Sequence, residues 1–137
     1  MPLFFASLPR AVRCGLLGAA LGLLLPVAWL PAHAHAVITE DSLAREPVHP
    51  DKPTQVRLQF NTGVEIKLSR VSLVSKGDVE QAVVIKAGAR PGQVLVSLPA
   101  LVEGDYALRC QVFAADGHLT QEIRRFRVGT GTATGVK

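Results

Sequence analysis

The chain has 137 residues, room for one ordinary domain, and its formal charge of +4 comes from 15 Lys and Arg against 11 Asp and Glu. Arg10 and Arg13 are the only charged side chains before residue 35, so removing that segment leaves a charge of +2. A nucleic-acid surface, which calls for a dense basic stripe interleaved with aromatics, is therefore excluded. The one basic cluster, Arg124, Arg125 and Arg127, alternates with Phe126 and Val128 and reads as a solvated strand face.

Residues 1–34 follow the three-part order of a signal peptide: Arg10 and Arg13, the apolar run Gly15 to Leu25, then Pro26 and small residues. The apolar stretch from Cys14 to Leu30 falls short of the ~20 residues a permanent bilayer span needs, which favours cleavage and a mature form that does not span a membrane. Signal peptidase requires small side chains one and three positions before the cut, and Ala32-His33-Ala34 supplies both. The expected mature chain starts at His35. Two neighbouring cuts compete: one after Ala32 exposes His33 but places Leu30 three back, and one after Ala36 removes both histidines and leaves Val37 first. The small-residue rule does not exclude the latter.

Beyond residue 34 short alternating segments separated by Pro, Gly, Asp and Asn predict an all-β fold with no long helix. The predicted strands, in chain order, are Ala36 to Thr39, Gln55 to Phe60, Leu68 to Ser75, Gln81 to Lys86, Gln93 to Leu98, Asp105 to Phe113 and Glu122 to Val128. Seven strands of this length suit two packed sheets. The period-two pattern turns Val56, Leu58 and Phe60, Val71 and Leu73, Val94 and Val96, Leu108, Cys110 and Val112, and Phe126 and Val128 inward. Cys14 departs with the signal, so Cys110 has no intrachain partner and acts as a small hydrophobe. Residues 35–128 make up the expected domain, and 129–137, rich in Gly and Thr, a flexible tail.

The four histidines carry the chemistry. His33 leaves with the signal, and His49, between Val48 and Pro50, reads as an exposed loop residue. Taken by itself, Asp116-Gly117 before His118 is a tight turn between two strands. Asp116 and His118 are two apart, however, so their carboxylate and imidazole converge if the segment stays extended. A first-residue His35 would add a free α-amine and an imidazole in one chelating unit. With an unperturbed amine pKa of ~7.7 to 8.0, a metal displaces that proton at neutral pH at little cost. His35, Asp116 and His118 thus offer three nitrogens and one oxygen, a tetragonal donor set that favours Cu(II).

His35-Ala36-Val37-Ile38, Val56-Arg57-Leu58-Gln59-Phe60, Gly104-Asp105-Tyr106, and Asp116-Gly117-His118 followed by Phe126-Arg127-Val128 resemble the CopC copper-resistance family over essentially the whole mature domain. The resemblance implies a single seven-stranded, immunoglobulin-like Greek-key β-sandwich or barrel. It further implies a non-enzymatic periplasmic carrier or buffer that holds about one Cu(II) per chain through His35, Asp116 and His118 and passes it to a CopD-type inner-membrane transporter. Two departures stand out. The family's methionine-rich Cu(I) loop has no counterpart, because the only methionine is Met1. The glutamate that many members carry just after the second strand's phenylalanine is replaced by Asn61-Thr62-Gly63, with Glu65 as the nearest substitute. Two other classes stay open: a copper monooxygenase built on an N-terminal histidine, and a metal-free immunoglobulin-like interaction module in which Asp116-Gly117 is simply a turn.

Overall fold

The computed structural model describes residues 35–131; the expected signal peptide and all but the start of the expected tail lie outside them. Seven antiparallel strands form the domain: β1 (Ile38–Asp41), β2 (Thr54–Phe60), β3 (Arg70–Ser75), β4 (Val79–Ala87), β5 (Gln93–Leu98), β6 (Gly104–Phe113) and β7 (Leu119–Val128). One 3-10 turn, Ser42–Ala44, follows β1 and is capped by the Asp41 carboxylate, which accepts from the Ala44 N–H at 3.0 Å. No described helix is long and apolar enough to cross a membrane.

The strand order is β1-β2-β5-β4-β3-β6-β7. Strands β3, β4 and β5 are a meander, and β6 returns to lie beside β3, which is the Greek-key connection. The sheet turns its corner along β4. Val79 to Val83 pair with β3, and Val84 to Ala87 pair with β5, so one strand belongs to both faces. All of β4 is exposed except Val83 and Ile85, which reach the core from its rim.

Alternation decides what is inside. Val56, Leu58, Val71, Val94, Val96, Leu108, Cys110, Val112 and Val128 are fully buried, with Phe60, Leu73 and Phe126 nearly so, as their period-two spacing predicts. At about 1.5–3 kcal/mol for each large aliphatic side chain taken from water, this cluster dominates the stability of the domain. Tyr106 stacks on Phe126 at 5.8 Å between ring centroids and donates its hydroxyl to the Val102 carbonyl at 3.1 Å, a tyrosine corner at the start of β6.

Strands β1 and β7 are the two ends of the sheet order, and side chains rather than a backbone ladder hold them together. Arg124, on the inward parity of β7, donates to the Ile38 carbonyl at 2.8 Å and lies 3.6 Å from the Asp41 carboxylate. This corrects the solvated-face reading for that residue. Arg125 and Arg127 are exposed, whereas Arg124 fills the gap between the two edges. Val48 extends the closure by bridging to Val128, with Gly129 N–H on the Val48 carbonyl at 3.1 Å. The result is a nearly closed barrel.

Every strand but β5 differs from expectation at one end or both, and three of the shifted starts have a plain local reason. β3 starts at Arg70 instead of Leu68, because the Ser69 hydroxyl donates to the Glu65 carbonyl at 2.8 Å and accepts the Phe113 N–H at 3.0 Å, fixing a turn over 66–68. β7 starts at Leu119, since the β6–β7 register continues through Phe113↔Leu119. β1 starts at Ile38, because the preceding N–H groups are taken by side chains.

Candidate metal centre

The β6–β7 hairpin ends in a turn set by its own backbone. The Ala114 N–H donates to the His118 carbonyl and the Gly117 N–H to the Ala114 carbonyl, both at 2.9 Å. Gly117 has φ +85°, a left-handed conformation that costs glycine nothing. The segment is therefore a turn and not extended. It converges nonetheless: Asp116 Oδ1 accepts the His118 N–H at 3.1 Å, and Asp116 Oδ2 lies 3.2 Å from His118 Nδ1. Both side chains are partly exposed, at 49% for His118 and 40% for Asp116, so an ion reaches them without any rearrangement of the core. The turn is seated on the neighbouring loop, where the Ala115 N–H meets the Gly63 carbonyl at 2.9 Å and Val64 bridges to Ala114.

The third predicted residue, His35, is exposed and opens the described chain. Its carbonyl accepts from Asn61 Nδ2 at 3.2 Å, the Ala36 N–H donates to Thr120 Oγ1 at 3.2 Å, and the Val37 N–H donates to Asn61 Oδ1 at 2.8 Å. Thr120 is two residues beyond His118, so the segment carrying His35 is tied to the strand that leaves the Asp116-Gly117-His118 turn. Ala36 is fully buried beneath it. Among the described residues, no three His, Cys, Asp or Glu side chains are gathered to hold an ion. The structure thus brings Asp116 and His118 together as side chains, while His35 is held through its backbone by Asn61 and is not gathered with them. In this chain the His35 nitrogen is a peptide nitrogen, joined to Ala34.

Other sequence expectations fall into place around this centre. His49 is exposed on its loop. Cys110 is fully buried, and burial, helped by the charge of Glu122 and opposed by Arg124, pushes its thiol up to about 12, which keeps it protonated and inert. The Glu65 side chain is exposed; its backbone does the structural work, donating to the Phe113 carbonyl at 2.9 Å and accepting from Leu68 and Ser69. Asn61 and Thr120 escaped the sequence reading. Asn61 was visible only as a departure from the family's glutamate, and Thr120 lay before the predicted start of its strand at Glu122.

The CopC domain family model matches residues 38–129, nearly all of the described chain. Among solved structures, CopC from Methylosinus trichosporium OB3b is 26% identical with a TM-score of 0.58, covering 69% of this chain and 94% of its own. PcoC from Escherichia coli, a methionine-rich copper resistance protein, is 23% identical with a TM-score of 0.51, covering 69% and 99%. No curated protein matches. With the family model spanning well over half of the sequence and the seven-stranded Greek-key barrel in agreement, the chain belongs to the CopC domain family.

Proposed function

We propose that this protein is a periplasmic Cu(II) carrier or buffer, released from its signal peptide by a cut after Ala34. It binds about one Cu(II) through the His35 amine and imidazole, Asp116 and His118. The observation that carries this reading is the Asp116–His118 pair, whose oxygen and nitrogen lie 3.2 Å apart on a turn next to the strand that holds Ala36. Neighbouring donors on an ion with bonds of ~2.0–2.2 Å are separated by about that distance. The donor set, three nitrogens and a carboxylate oxygen, suits Cu(II), and no methionine remains past residue 1 to make a soft Cu(I) site.

The burial of Ala36 supports the position of the cut. Cleavage after Ala36 would delete a residue with no exposed surface, whereas cleavage after Ala34 leaves Ala36 and its hydrogen bond to Thr120 intact. Membership in the CopC domain family, whose E. coli structural relative PcoC is a copper resistance protein, supports the choice of metal. Delivery of the ion to a CopD-type inner-membrane transporter completes the proposal, with no reaction catalysed on the way.

Calorimetric titration of the protein beginning at His35 tests it. About one Cu(II) per chain is expected, with affinity falling strongly in His118→Ala. Equal affinity in that variant would overturn the assignment.

A further inference from the structure

Resting on that reading, we infer that Asn61 and Thr120 are positioning residues for the metal centre: together they hold the first three residues of the mature chain so that the His35 amine reaches Asp116 and His118. Asn61 meets this segment through three of its polar groups. Its Nδ2 donates to the His35 carbonyl at 3.2 Å, its Oδ1 accepts the Val37 N–H at 2.8 Å, and its backbone N–H donates to the Val37 carbonyl at 3.0 Å. Thr120 Oγ1 takes the intervening N–H, that of Ala36, at 3.2 Å from the opposite side.

The backbone ladder gives these residues only the Asn61 N–H bond to the Val37 carbonyl, because β1 pairs with β2 only from Ile38↔Phe60 onward. Residues 35–37 lie ahead of that first rung, and a chain terminus left unsupported there would fray. Two polar side chains, one from the loop after β2 and one from β7, grip alternate sides of three consecutive residues over the buried Ala36 methyl and replace the missing rungs. A chelating terminus needs this support, since the α-amine and imidazole of His35 must both meet donors carried on a separate hairpin. The Asn61 loop is itself held against that hairpin, through Gly63 to Ala115 and Val64 to Ala114. Asn61 thus couples the terminus to the Asp116-Gly117-His118 turn from the β2 side, and Thr120 does so from the β7 side.

The test uses the protein beginning at His35 and four variants: Asn61→Ala, Thr120→Val, Thr120→Ser and His118→Ala. Cu(II) affinity is measured by competition with a chromophoric chelator, nitrogen coordination by electron paramagnetic resonance, and folding of the metal-free form by circular dichroism. Asn61→Ala and Thr120→Val are expected to weaken Cu(II) binding about 10- to 100-fold, the range for groups that orient ligands without touching the ion. Their spectra should show altered nitrogen coupling, and Thr120→Ser, which keeps the hydroxyl, should restore both affinity and spectrum. Because valine matches threonine in shape, Thr120→Val decides the matter even if Asn61→Ala does not fold. Wild-type affinity and spectrum in Thr120→Val and in folded Asn61→Ala, with His118→Ala still impaired, would overturn the positioning role and leave the copper assignment standing. Loss of neither affinity nor spectrum in His118→Ala would remove both.

Discussion

Replacing Arg124 with methionine removes the guanidinium that closes the barrel while keeping a side-chain stem of similar bulk. The bond to the Ile38 carbonyl is 2.8 Å long and charge-assisted, so its loss costs about 1.5–3 kcal/mol. The Asp41 pair adds less: at 3.6 Å, with Arg124 34% and Asp41 17% exposed, solvent screens it to no more than about 1 kcal/mol. A combined loss of about 2–3 kcal/mol follows, which for a domain near 100 residues lowers Tm by roughly 10–20 °C. Thermal unfolding followed by far-ultraviolet circular dichroism measures it, with Arg125→Met, exposed on the same strand, as the control. Hydrogen exchange in β1 should accelerate in the Arg124 variant before global unfolding, because that strand loses its tie to β7. If the two arginine variants melt together within a few degrees of the wild type, side-chain closure of the β1–β7 gap is not what secures the barrel.

Cys110 gives the protein an alkaline limit. Its thiol holds its proton to about pH 12 when folded, against 9.0 ordinarily, so the stability it contributes is complete below about pH 9 and is lost as pH rises toward about 12. Urea unfolding near neutrality and at about pH 10.5 should show the wild type losing about 2 kcal/mol more than Cys110→Ala; parallel losses in the two proteins would contradict this. Gly92 has φ +73°, and a Cβ there would stand 2.4 Å from the Thr62 carbonyl oxygen and 2.8 Å from that of Phe60. Gly92→Ala is therefore expected to cost at least about 2 kcal/mol, from the left-handed backbone and the displaced loop together, and a variant with wild-type urea midpoint would show that the loop yields freely.

Much of the barrel was legible in the order of residues. Strand β5 lies where its alternation placed it, and every residue predicted to face inward is buried, because a period of two assigns sides without reference to any neighbour. The Asp116–His118 contact was legible for a similar reason: Asp116-Gly117-His118 is local, and a turn brings its carboxylate and imidazole together through contacts within three residues. Even there, the contact expected of an extended segment is made by the turn itself.

What lay hidden depends on residues far apart in sequence. Thr120 meets Ala36 across 84 positions and Arg124 meets Ile38 across 86, and no pattern in either segment announces a partner at that distance. An arginine clustered with Arg125 and Arg127 looks solvated until β1 is folded against β7. The sequence by itself determined strands, inward faces and the local Asp116–His118 pairing, because these follow from side-chain chemistry and a short repeat. Only the tertiary structure decided which strand ends meet, how the edges close, and which polar side chains hold the segment that carries His35, because those follow from the path of the chain through the Greek key.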